Sequence, residues 1–264
     1  MGVIGHRILR QHRSVWSLIM LALVGVIFAL GVVNLLVIVL RSLDTPPDVI
    51  PGQLQYLSTF DAYNEQWTVF QGQVKAEILD SELRITSDAP NEGAFSELSR
   101  AFRDFDLSVN VRWEKIAGEA DQAGILFRYK DLSNYYMFKI RSDGAYRVEI
   151  MKDGQVEALS QWQISSRILT APGAVNQLRV VGHAFIFQFY VNDTPLPLCL
   201  KGNDKRSTWN GLSSGQCISD GGRTREQIVE NSFEFGQIAL GAVAGDAGLV
   251  VAFDNVVILG PRPQ

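Results

Sequence analysis

The chain has 264 residues, 47% of them hydrophobic and 20% charged, with two cysteines and a formal net charge of −4. That length suits one or two domains with a full-sized core. Residues 1–41 carry four arginines and no acid, so of 24 basic residues 20 remain beyond them against 28 acidic ones, a balance of −8 that argues against a nucleic-acid partner.

In chain order, residues 1–14 form a basic tail with Arg7, Arg10 and Arg13. Residues 15–40, "VWSLIMLALVGVIFALGVVNLLVIVL", contain no charge. Roughly 20 apolar residues cross a bilayer core, so this run predicts a retained single-pass transmembrane helix rather than a cleaved signal peptide. Arginines ahead of the run place the N-terminus in the cytoplasm and the C-terminal domain outside, in the periplasm or beyond the cell. Ala22, Gly25 and Ala29 share one helical face and Asn34 adds a polar group, a pattern that suits packing against the helix of another membrane subunit. The bland reading is that small residues are common in such helices. Residues 41–55, "RSLDTPPDVIPGQLQ", read as a stiff Pro-rich linker.

From residue 56 to 260 the hydrophobic period is two. In "DLSVNVRW" Leu107, Val109, Val111 and Trp113 take one side. In "AFIFQFYVND" Phe185, Phe187, Phe189 and Val191 do so, and a turn follows at Asn192-Asp193. "GLVVAFDNVVIL" is a late strand, and residues 261–264 are a tail. Short strands divided by Gly and Asp turns predict an all-β antiparallel sandwich or barrel.

The stretch "LFRYKDLSNYYMFKIRSDGAYRVEIMKDG" reads as a hairpin turning at Ser142-Asp143-Gly144. Tyr136, Phe138, Ile140, Tyr146, Val148 and Ile150 form its apolar face. The other face, with Arg128, Tyr135, Lys139, Arg141, Arg147 and Glu149, is expected to look outward. Aromatic and arginine side chains favour binding hot spots, which makes these six the candidate ligand or partner face. The alternative is a set of solvated cross-strand ion pairs.

"FDAYNEQW", "GILFRYKDLSNYYMFKIRSDGAYRVE", "NQLRVVGHAFIFQFYVND" and "VVAFDNVVIL" resemble a bacterial group of concanavalin-A-like domains, related to laminin-G-like modules and to 3-keto-disaccharide hydrolases. The resemblance implies a two-sheet jelly roll over residues 56–260. It leaves function open, since that fold hosts lectins, glycosidases and passive modules. It also implies a position for a structural calcium, with Asp254 in "FDNV" as a ligand and Asp61 nearby. Otherwise no cofactor is expected, and the alternative is that Asp254 and Asn255 bond backbone at a strand irregularity.

The sequence departs from that group in an insertion at about 195–232, which holds Cys199 and Cys217. In an exported loop these predict a disulfide. The closely spaced carboxylate run of glucanases is absent. Glu119 and Asp121 sit in "GEADQAG", which reads as a solvated turn. His183 follows Gly182 at a turn with no nucleophile motif, so no triad is recognisable. The expectation is a non-enzymatic binding or assembly module, either an accessory subunit of a membrane complex or a recognition protein, with a glycan as a further partner. The alternative is a sugar-directed hydrolase.

Overall fold

The computed structural model describes residues 16, 18–33, 46–62, 65–200, 217 and 224–262. The chain divides into two compact units, Met1–Thr45 and Pro46–Gln264. In the first, a helix (α1) is described over 18–33. Among the described residues no helix is long and apolar enough to cross a membrane. This corrects the expected span over 15–40 and, with it, the single-pass assignment to the cell membrane. Ala22, Gly25 and Ala29 lie on α1, and a Cβ added at Gly25 would meet nothing within 4 Å. Asn34 falls outside the described residues.

The second unit is a sandwich of two antiparallel sheets. The first contains β1 (Leu54–Ser58), β2 (Val74–Leu79), β3 (Glu82–Ser87), β5 (Phe105–Lys115), β11 (Val175–His183), β12 (Ile186–Val191), β13 (Thr194–Pro195), β14 (Ile228–Val229) and β16 (Leu249–Leu259). Its order is β13-β12-β11-β5-β16-β3-β2, with β1 also on β16 and β14 on β12. The second contains β4 (Gly93–Phe102), β6 (Gln122–Asp131), β7 (Asn134–Arg141), β8 (Ala145–Lys152), β9 (Gln155–Ala158), β10 (Gln163–Ile164) and β15 (Gly236–Val243). Its order is β10-β8-β7-β6-β15-β4, with β9 on β8.

Alternation decides which side chains meet between the sheets. Leu107, Val109, Val111 and Trp113 of β5 are buried, and the residues between them are half-buried. Phe138 of β7 meets Phe189 of β12 with ring centres 5.1 Å apart, which ties one sheet to the other. The turn at Asn192-Asp193 has φ of 48° and 60°, the paired left-handed geometry that matches strand twist in two-residue hairpins. Phe185 is the exception on its strand's apolar side. It lies in the turn before β12 and is 41% exposed.

The sheets differ in their outer faces. The first sheet alternates buried and half-buried residues, as expected with one face dry and one wet. In the second sheet the centres of β6, β7 and β8 are buried on both faces. Its outward side chains therefore cover one another, and they hold most of the candidate residues.

Candidate functional site

The outward face of the second sheet has an apolar half and a charged half. Leu126, Tyr129, Tyr135, Met137 and Ala239 form a buried cluster separate from the main core, with Phe95 and Met151 against it. Tyr129 stacks on Tyr135 at 5.9 Å, and Phe95 meets Tyr135 edge-on at 5.9 Å. Two glycines make the layer this close. A Cβ at Gly241 would lie 2.4 Å from Phe95 Cδ1, and one at Gly124 would lie 2.9 Å from Lys139 Cβ. The Tyr129 hydroxyl donates to Glu97 Oε1 at 2.7 Å, and burial, with that bond, pushes its pKa up.

In the charged half, Lys139 faces Arg147 across the β7–β8 ladder. Glu149 binds both, at 2.5 Å from Lys139 Nζ and in a short contact with Arg147 Nη2. Burial pulls the Lys139 ammonium below its ordinary pKa, against the opposing pull of Glu149. Arg141 pairs with Asp143, donating from Nε to Oδ1 at 2.8 Å. Burial pushes the Asp143 carboxyl up, but hydrogen bonds from Arg141 and the Ala145 N–H prevail and hold it down.

Trp162 completes the face. Its half-buried ring has Arg141 at 4.7 Å and Lys139 and Arg147 at 5.4 Å from the ring centre. Local bonds place it. Ser160 Oγ accepts from the Val148 N–H at 2.9 Å. The Gln161 N–H donates to the Cys199 carbonyl at 3.1 Å, and the Cys199 N–H donates to Gln163 Oε1 at 2.7 Å. Gln163 then pairs with Tyr146 of β8. No hydrophobic period in "LSQWQISS" marks Trp162 as a site residue. Its signal was a tryptophan set between glutamines.

Of the six candidates, the structure brings Tyr135, Lys139, Arg141, Arg147 and Glu149 onto this face. Arg128 is the correction. At φ 49° it sits where the register of β6 shifts, so a bulge turns its side chain inward. It is fully buried and donates to the carbonyls of Phe233 (2.6 Å), Arg103 (3.0 Å) and Ala184. Burial lowers its pKa to about 10, which leaves it charged at neutral pH. It is a brace.

Asp121 is also not solvated. It is buried, and its Oδ2 accepts from the N–H groups of Ala117 (2.6 Å) and Gly118 (2.9 Å), its Oδ1 from that of Gly245 (2.8 Å). His183 ends β11 with its side chain 68% exposed, 3.6 Å from Asp104. Cys199 and Cys217 form a disulfide with Cα atoms 5.3 Å apart.

The two carboxylates of the calcium position are each engaged by neighbouring residues. Asp254 Oδ1 accepts from the Asn255 N–H and Oδ2 from its side-chain amide, each at 2.6 Å. Asp61 accepts from Thr59 Oγ1 at 2.6 Å. Burial raises the Asp254 pKa, with Glu82 and Asp61 adding like charge. Among the described residues no group of three or more His, Cys, Asp or Glu is arranged to hold a metal ion.

No protein-family model matches the chain. No curated protein matches it either. Solved structures do match in fold. A Bacillus subtilis protein of unknown function with a galectin-like fold aligns at 8% identity over 81% of this chain and 100% of its own, with a TM-score of 0.53. A Bacillus licheniformis β-glucanase aligns at 11% identity over 79% of this chain and 98% of its own, with a TM-score of 0.51. The apo Crh5 transglycosylase aligns at 12% identity over 84% and 90%, with a TM-score of 0.50. The chain thus shares the galectin- and concanavalin-like β-sandwich. At these identities the likeness concerns fold alone.

Proposed function

We propose that the sandwich is a non-catalytic glycan-binding module whose contact surface is the outward face of the second sheet. The observation that carries this is Trp162, a partly exposed indole with three cations around it. A sugar ring has an apolar C–H face and a rim of hydroxyls. An indole supplies flat apolar area, and fixed guanidinium and carboxylate groups supply directional hydrogen bonds. The aromatic half, with Tyr129 and Tyr135 stacked, extends the same layer. Glu149 is poorly placed to act as an acid or base, because both of its carboxylate oxygens are already engaged, one by Lys139 and one by Arg147. The glucanase and transglycosylase among the fold neighbours make a saccharide ligand reasonable.

The test is binding of the full chain to an array of oligosaccharides, alongside Trp162→Ala and an assay for released reducing sugar. Binding weakened about tenfold or more in the variant, with an unchanged melting temperature and no sugar released, is expected. Undiminished binding by Trp162→Ala would sink the platform, and turnover of a bound sugar would sink the non-catalytic role.

A further inference from the structure

The opposite side of the sandwich carries a second surface that the Trp162 face does not use. On the outer face of the first sheet the strand registers align one row of side chains across the strands. Leu259 of β16 faces Asp106 of β5, Asp106 faces Val181 of β11, and Val181 faces Gln188 of β12. One step beyond the Phe187–Ile228 pair, the register of β12 with β14 brings Gln227 beside Gln188. This row is the floor of two adjoining cavities. One, of about 390 Å³, is lined by Leu259, Asp106 and Val181, and the other, of about 280 Å³, by Val181, Gln188 and Gln227. They share Val181 and Arg262. Strands lie about 4.8 Å apart, so a row over five strands is about 19 Å long and runs across the strands.

The relief follows from side-chain size. Val181 is short and 7% exposed at the middle of the row. On one side stands the next row, where Arg179 lies 4.9 Å from the Tyr190 ring centre. On the other stands His183. Arg262 overhangs from the chain beyond β16. It lies across Gly52, whose added Cβ would be 3.4 Å from its Nε.

We infer that this trough is a second binding site, for a neutral oligosaccharide chain. It sets amides, guanidinium groups and two carboxylates, Asp106 and Asp193, around an apolar floor of Val181 and Leu259. Its charge is nearly balanced, because Asp106 holds Arg179 in a two-bond pair at 2.6 and 2.7 Å. An anionic polymer would find one cation there, Arg262, that has no ion pair among the described residues. An extended peptide gains its affinity from backbone hydrogen bonds along a strand edge. A chain laid across a sheet meets only side chains, since the ladder already engages the backbone. Sugar hydroxyls, each both donor and acceptor, match such a lining. The site goes beyond the Trp162 face, and two sites on opposite sheets would let one module join two chains.

The test is calorimetry on the full chain with cellohexaose, laminarihexaose, xylohexaose and hexagalacturonate as probes. Trp162→Ala removes the first platform. In that background we expect one neutral hexaose to bind at one site per chain. Adding Gln188→Ala with Gln227→Ala should weaken that binding about tenfold, and Val181→Phe, which fills the trough, should do the same. The paired glutamine variants keep the test valid should Val181→Phe fail to fold. No neutral hexaose bound by Trp162→Ala, affinity untouched by the glutamine changes, or tighter binding of hexagalacturonate would each overturn the assignment. Failure of the first platform reads differently. It appears as Trp162→Ala leaving total binding unchanged while the glutamine variants still act.

Discussion

Glu149 reaches Lys139 diagonally across the β7–β8 pair, Oε2 to Nζ at 2.5 Å, and the two side chains are only 8% and 11% exposed. Both point away from the main core, so burial here comes from the outward layer. Such a pair gains little over an apolar one but is costly to break from one side. We expect Glu149→Ala to lose about 3 kcal/mol, because Lys139 is then left buried without its partner. Lys139→Met with Glu149→Leu should stay within about 1 kcal/mol of wild type. Urea unfolding measures both, and a Glu149→Ala chain as stable as wild type would reject the account.

Arg128 makes a second prediction. Three backbone carbonyls from separate segments converge on its guanidinium. Arg128→Met keeps the apolar stem and orphans the carbonyls, at a cost of about 3 kcal/mol or more. Arg128→Lys should recover only part, since an ammonium lacks the planar fork. Glycan affinity should be unchanged in any variant that stays folded. A loss of affinity larger than the loss of folded protein would return Arg128 to the binding face.

The alkaline limb of stability should be steep. Burial pushes Tyr136 up to about 12 and raises Tyr129, Tyr135 and Tyr146 as well. An acid whose pKa is raised on folding stabilises the fold below its unfolded pKa, near 10 for tyrosine, and that stability is lost as pH rises through the folded value. Lys139 and Arg128, both lowered, act with the opposite sign in this region. Four tyrosines against two bases leave a net fall in stability between about pH 10 and 12. Urea unfolding against pH measures it, and a flat profile across that range would contradict the burial of these hydroxyls.

What could be read from the sequence follows the wetness of each face. On β5 one face is dry and the other wet, so Leu107 to Trp113 showed a clean period of two and their burial was legible. On β7 both faces are buried, so Tyr135 and Met137 read as a mixed face when they belong to a second apolar layer. Arg128 was misplaced because alternation was carried through a bulge formed by an arginine at positive φ, with no glycine to mark it. Asp121 looked solvated because its partners are backbone N–H groups, including that of the distant Gly245. Trp162 depends on a pairing with residue 199 that no local pattern reveals. The charge-free run over 15–40 reads as a membrane span, whereas among the described residues no helix is long and apolar enough to cross one.

The last prediction joins the disulfide to the Trp162 face. Cys199 and Cys217 are 18 residues apart, and closing a loop of that size contributes on the order of 3 kcal/mol in the chain-entropy account. Cys199 also holds both neighbours of Trp162, accepting from Gln161 and donating to Gln163. Loosening the strand around Cys199 should therefore free the indole as well as lower stability. We expect Cys199→Ser with Cys217→Ser to lose about 2–4 kcal/mol in urea and to shift tryptophan emission to the red while the domain is still folded. On a Trp209→Phe background, which removes the tryptophan inside the Cys199–Cys217 loop, the shift should remain, and adding Trp162→Phe should abolish it. Glycan affinity should fall with the shift. Thiol counting on the denatured, unreduced chain should find no free thiol. An emission shift that persists without Trp162, or unchanged emission in the presence of Trp162, would separate the disulfide from the platform and leave it a local staple.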